Sequence, residues 1–333
     1  MTRPSRQTRL LTADRGDAGR RLDLVVRRHL AGVDAATRTR VQVWIEDGRV
    51  SVNGTPVRRA SRRAALGDLV SVVLPPGSNR IRAEMMGEDT PLAILHEDEH
   101  LLVLDKPAGI AVHPTHRHAA GTVMNALVWR AREWPAGSRP SIVGRLDKLT
   151  SGIVVAAKSA AVHAALQRAM ASSACEKDYL ALVHGRVNTA RGKIDLRLSH
   201  DRADRRRIVA SATVGAPSLT RFERLARGHE VSLLRCRLVT GRTHQIRVHL
   251  AARGWPIVGD PAYGKRASAI AESPRAEVLR AFPRQALHAW RLALTHPITR
   301  ERLIIEAPVP PDLEDLIATC FHEGTKDTKH TKP

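Results

Sequence analysis

After residue 90 the apolar spacing of this chain switches repeatedly between a period of 2 and a period of 3.6, which only a fold mixing strands with helices can satisfy. The shorter period places strands at 101–105, 152–157, 178–184, 231–239 and 302–306. The longer one places a helix near 159–170, and long insertions separate the elements. A mixed α+β domain is expected. No Gly-rich phosphate loop opens a helix, and no unit of about 20–50 residues repeats.

The segment before residue 80 has a different character. It holds 16 Arg, no Lys and only 7 Asp or Glu, and it runs into Pro75–Arg80 (PPGSNR), which reads as a linker. Leu22, Val25, Val26 and Leu30 fall on one helical face. A second helix is expected over Val41, Trp44 and Ile45, with Thr37 or Thr39 as N-cap and Asp47-Gly48 as its stop. Alternation from Arg49 to Val57 around Asn53-Gly54 predicts a hairpin, and Leu69–Leu74 a further strand. The expected division is 1–19 N-terminal extension, 20–75 small helix–helix–sheet domain, 76–90 linker, 91–323 main domain and 324–333 disordered polar tail, about two domains for 333 residues.

Charge narrows the partner. The chain carries a net +21, a field that attracts polyanions by releasing their counterions, so nucleic acid leads the candidates. Arg38, Arg40, Arg58, Arg59, Arg62 and Arg63 come from a helix start and a hairpin arm, and such guanidiniums bind phosphate oxygens in pairs. Cys175, Cys236 and Cys320 form no CxxC pair, so neither a disulfide framework nor a zinc finger is indicated, and a reducing compartment is expected. With no signal-like apolar region and no spanning run, the expectation is a cytoplasmic protein, and nothing demands more than a monomer.

The chemistry concentrates in residues 142–158, IVGRLDKLTSGIVVAAK. Asp147, flanked by Arg145, Lys148 and Thr150, lies where a loop enters a buried strand. Nearby cations can keep such a carboxylate ionised while its hydration is stripped, which suits a nucleophile or base; a structural ion pair or turn cap fits the spacing as well. Tyr179, one of two tyrosines, reads by itself as a strand aromatic. His113, His116 and His118 cluster without a carboxylate or Cys to complete a metal shell, and His244 and His249, five apart, share no face, so no metal is expected.

Two resemblances sharpen these readings. The run from Arg21-Leu22-Asp23 through Gly48–Gly54 (GRVSVNG) to Gly67-Asp68 is similar to the αL RNA-binding domain first described in a small-subunit ribosomal protein. The block Arg145-Leu146-Asp147…Thr150-Ser151-Gly152 resembles the active-site motif of pseudouridine synthases of the RluA/RluD type. Leu102–Pro114, Thr240–Leu250 (TGRTHQIRVHL), Gly259–Gly264 (GDPAYG), Arg284–Ala289 and His296–Thr299 resemble that family's other motifs. The resemblance spans about residues 20–315. It implies a largely antiparallel mixed sheet with a cleft, an RNA substrate and no cofactor. Asp147 would be the nucleophile, acting at the ribose anomeric carbon or as a base that generates a glycal. Arg145 would steady the flipped nucleotide, Tyr179 would lie against uracil or take the C5 proton, and Arg247 would pair with Asp147. Lys177, Thr150 and Ile246 would touch substrate. Gly144 and Leu149 depart from the family's usual His and acidic residue, which touches target choice more than chemistry. The αL module tilts the substrate toward large-subunit ribosomal RNA over transfer RNA. A noncatalytic binding or ribosome-assembly role is the competing reading.

Overall fold

The computed structural model describes residues 8–33, 35–76, 85–114, 119–264, 270, 272–273 and 275–321, and the chain divides into two compact units, 1–85 and 86–333. His116, His118, most of the expected linker and the 324–333 tail lie outside the described residues.

In the first unit, β1 (Thr8–Thr12), α1 (Leu22–His29), α2 (Arg38–Glu46), β2 (Val50–Val52), β3 (Thr55–Pro56) and β4 (Leu69–Val73) follow in order. Thr37 caps α2 through its side chain, and Gly48 takes the left-handed turn that ends it. The predicted apolar face is buried: Leu22, Val25 and Val26 of α1 meet Val41, Trp44 and Ile45 of α2 over Val50, Val52, Val70 and Val72 of the sheet. Beneath the helices the buried Asp23 carboxylate accepts from Arg21 and Gln42, with Arg38 at 3.5 Å, so a charge in the core is fully partnered. Asn53 and Gly54 both take positive φ, as a tight hairpin turn requires. The Asn53 side chain then donates to Asp68 and accepts from Leu69 N–H, which ties the hairpin to the next strand.

One boundary moves. Thr8–Thr12, assigned on sequence to an N-terminal extension, pairs antiparallel with β4 along its whole length, so the sheet order is β1-β4-β2-β3. Five residues with one buried side chain, Leu11, carry too little alternation to announce a strand; the unpaired edge of β4 recruits them.

The second unit begins with β5 (Ala93–Glu97), β6 (Leu101–Lys106), α3 (Val123–Arg130), β7 (Ser141–Val143), β8 (Ser151–Ala157) and α4 (Ala160–Ala171). It continues through β9 (Glu176–His184), β10 (Arg191–His200), β11 (Ile208–Ser211), β12 (Ala216–Arg227), β13 (Val231–Leu238), α5 (Gln245–Ala252), α6 (Ala276–Ala281), β14 (Leu287–Thr295), β15 (Arg302–Glu306) and α7 (Pro311–Phe321). The strands form one sheet in the order β11-β10-β12-β13-β9-β14-β8-β6-β5, with β15 on β14 and β7 on β8. Among the described residues only the β14–β8 pairing is parallel, which makes the α+β sheet mixed and largely antiparallel. At its β6–β8 end both faces are covered, by α4 over Val103, Ile153 and Val155 and by α3 over Leu102, Leu104 and Val154. Burial on both sides explains why Leu101–Leu104 and Ile153–Ala157 read as unbroken apolar runs. Toward β9 and β13, α5, α6 and α7 supply the covering layer. Among the described residues no helix is long and apolar enough to cross a membrane.

Candidate active site

The cleft that opens beside β9 and α5, about 320 Å³, is built around the loop 144–150 between β7 and β8. Gly144 starts that loop with φ +83, a conformation that costs a side-chain-bearing residue and suits glycine. Thr150 N–H closes a turn on the Asp147 carbonyl, 3.0 Å. The far side of the loop is pinned by Lys106, whose fully buried ammonium donates to the carbonyls of Pro107, Ile110 and Lys148 at 2.7, 3.0 and 3.2 Å. Burial pulls the Lys106 pKa down to about 8, and at neutral pH it remains a cation.

Asp147 projects into the cleft, about a quarter exposed, and its Oδ2 accepts from Arg247 Nη1 at 2.7 Å. Arg247 in turn sends Nε and Nη2 to the buried Asp260 at 2.7 and 2.8 Å. Desolvation alone would raise the Asp260 carboxyl, yet the Arg247 hydrogen bonds and backbone N–H groups of Ala262 and Tyr263 outweigh it and hold it low. For Arg247, desolvation opposes the charge, and the two carboxylates more than restore it. A guanidinium held in a fork by one carboxylate presents its remaining nitrogen to the other in fixed geometry.

Tyr179 lies on β9 inside the same cleft. Burial first, and then the Asp147 charge, push its phenol up, so it is protonated at neutral pH. Arg145 is exposed at the cleft wall, and Ile246 is buried in α5 at the edge of both cleft and core. Two expected substrate contacts also have structural partners. Thr150 is buried and its hydroxyl accepts from Gln285 at 2.9 Å, while Lys177 donates to the Met170 carbonyl at the end of α4, 3.0 Å. Both line the cleft, with their polar atoms turned to the scaffold.

Three residues given no role on sequence stand at the centre: His244, Asp260 and Tyr263. His244 precedes α5 in the left-handed conformation, φ 55 and ψ 19, and its Nε2 lies 3.7 Å from Asp147 Oδ1. Its Nδ1 meets the Tyr263 hydroxyl at 2.9 Å, and that hydroxyl accepts from Ile208 N–H. The signal was present in TGRTHQIR and GDPAYG, but only folding brings positions 147, 244 and 260 together. His249, weighed on sequence beside His244, is buried elsewhere against Thr220 at 2.9 Å.

In the first unit Arg38, Arg40, Arg58, Arg59 and Arg63 are exposed and Arg62 is half-buried. Arg58, Arg59 and Arg62 line one shallow depression beside the β2–β3 hairpin. Arg58 and Arg63 each hold a backbone carbonyl, of Glu46 and Gly19, which steadies their aliphatic stems. Asp14, Asp17 and His29 gather their ligand atoms within 4.8 Å, and Arg28 already donates to both carboxylates.

A family model described as RNA pseudouridylate synthase matches residues 100–252, and one described as S4 domain matches residues 20–70. Ribosomal large subunit pseudouridine synthase D of Xylella fastidiosa is 39% identical over 322 residues, 96% of this chain and 94% of that one. An uncharacterized RNA pseudouridine synthase of Bacillus subtilis, YlyB, is 36% identical over 291 residues, 86% and 91% of the two chains. Among solved structures, human RNA pseudouridylate synthase domain containing 1 superposes with a TM-score of 0.54 at 27% identity, over 69% of this chain and 89% of that one.

Proposed function

The chain belongs to the RNA pseudouridylate synthase family and carries an N-terminal S4 domain, and from that premise we propose that it isomerises specific uridines of large-subunit ribosomal RNA, with Asp147 as the reacting carboxylate. The observation that carries this reading is the division of labour at Asp147: one oxygen is tied to Arg247 and the other faces the cleft.

Isomerisation breaks the N1–C1′ bond of uridine, turns the uracil and joins its C5 to C1′; the C5 proton leaves and N1 gains one. No electron or external energy is required. The free oxygen of Asp147 attacks C1′ or removes the 2′ proton, and both routes need a carboxylate that stays ionised away from bulk water, which the Arg247–Asp260 pair supports. The target must leave its stack first, at a cost of a few kcal/mol that exposed cations such as Arg145 help offset. A phenol held protonated favours Tyr179 as the face against which uracil packs over Tyr179 as the base at C5. The S4 domain grips structured RNA through phosphates rather than stacking, in keeping with its arginines. Relatives named for the large ribosomal subunit support the choice of target.

Nucleotide-resolution mapping of pseudouridine in cells with the gene, without it, and complemented by Asp147→Asn tests the reading. Large-subunit sites that vanish on deletion and stay absent with the variant are expected. Loss confined to transfer RNA would move the target, and an unchanged map would leave a binding or assembly role.

A further inference from the structure

Arg247 secures only one oxygen of Asp147, and the other has a single ring nitrogen beside it. His244 Nε2 stands 3.7 Å from Asp147 Oδ1, longer than a hydrogen bond but close enough to become one with a small shift of the loop. We infer that His244 is a positioning residue of the reaction: a neutral imidazole with its proton on Nε2, steering the Asp147 oxygen that Arg247 leaves open. The inference rests on the reading of Asp147 as the reacting carboxylate.

The tautomer follows from the partners. Tyr263 Oη accepts from the Ile208 backbone N–H at 2.9 Å and has its own proton left to donate. The acceptor within reach is His244 Nδ1, also at 2.9 Å, and the two rings meet edge to face. With Nδ1 accepting, the imidazole proton is on Nε2, the atom aimed at Asp147. Backbone geometry points the same way. His244 holds a left-handed conformation at a position where glycine would relieve the strain, and its side chain makes no helix cap. That backbone sends the ring into the cleft.

The charged groups around the ring come from three elements: Arg247 from α5, Arg145 and Asp147 from the 144–150 loop, and Asp260 from the turn that also holds Tyr263. Desolvation lowers the His244 pKa first, the two carboxylates raise it, and the two arginines lower it again, so the balance keeps the ring neutral at pH 7. On acidification the imidazolium would turn an N–H toward the Tyr263 hydroxyl and hold Asp147 Oδ1 as a full ion pair. Turnover therefore falls on the acid side as His244 gains a proton.

The test uses the full chain and a large-subunit ribosomal RNA transcript labelled with tritium at uridine C5, with tritium release as readout. His244→Ala is expected to lower kcat by about tenfold to a hundredfold with KM within about threefold, the pattern of a group that acts after binding. His244→Gln, whose amide nitrogen reaches toward the Nε2 position, is expected to recover most of kcat and to move the acid limb of the wild-type profile to lower pH, since an amide does not titrate and only the carboxylate is left to be protonated. Wild-type kcat in His244→Ala, or an acid limb left unmoved in His244→Gln, would overturn the inference. Wild-type release by Asp147→Asn would instead strike the parent reading, and this one with it.

Discussion

At the scale of single residues, the site depends on a chain of charges in which each member is held by the next. Asp147→Asn removes the charge on which the proposed reaction rests while keeping shape, so turnover should fall by at least about a thousandfold, with RNA affinity within a few-fold because phosphate contacts dominate binding. Filter binding beside tritium release separates the two. Asp260→Ala should be worse for the fold than Asp147→Asn. It leaves a buried guanidinium without its forked partner, and losing one half of a buried pair costs about 3–5 kcal/mol. Chemical denaturation of the two variants checks that order. An Asp260→Ala protein as stable as wild type would show that Arg247 finds another partner. Arg247 and Asp147 were legible as a pair in the motifs, whereas Asp260 was visible only as part of GDPAYG, because a carboxylate's partner across a fold leaves no local pattern.

At the scale of elements, the active-site loop is only as well placed as the strand behind it. Gly152 sits in β8 at φ +108 beside β14, and a Cβ there would lie 2.3 Å from the Ala289 carbonyl oxygen. Gly152→Ala should cost at least about 3 kcal/mol and lower activity with stability, since backbone strain and a clash with main chain cannot be relieved by a rotamer change. Thermal melting and turnover measured together test this, and a variant that melts like wild type would refute the clash. β6 and β8, buried on both faces, and α4 behind its Ser159 cap were readable from spacing, while α3 was not. β10, β11 and β12 were not. In β10 the exposed Lys193, Asp195 and Arg197 alternate with the inward Ile194, Leu196 and Leu198, a half-buried period of 2 that is harder to pick out than an unbroken apolar run.

At the scale of the whole molecule, charge governs both RNA binding and the response to acid. Removing residues 1–85 should weaken binding to the ribosomal transcript and flatten its salt dependence, as the phosphate contacts we propose for Arg38, Arg40, Arg58, Arg59, Arg62 and Arg63 are lost. An unchanged slope would place the docking contacts on the second unit. Acid acts on the first unit through Asp17 and Asp23. Burial opposes their ionisation, yet hydrogen bonds from His29 and Arg28, and from Arg21 and Gln42, hold both at about 2, below the 3.8 of an unfolded aspartate. Groups with depressed folded values contribute stability that is complete above pH 4 and lost as pH falls toward 2, roughly 2 kcal/mol for each. Hydrogen exchange along a pH series should show residues 8–76 losing protection across that window, and Asp17→Asn should flatten the loss.

Sequence by itself determined the alternation of strand and helix, the Asn53-Gly54 turn, the basic first unit, the family and the place of Asp147 where a loop enters a buried strand, because each is written in neighbouring residues or in motifs that tolerate little change. Tertiary structure decided the rest. It recruited Thr8–Thr12 into a sheet, turned Thr150 and Lys177 toward the scaffold, and set His244, Tyr263 and Asp260 around a carboxylate about a hundred residues away in the chain. These outcomes hang on partners brought together only when the chain closes on itself, since a hydrogen bond or ion pair is fixed by distance in space rather than by separation along the sequence.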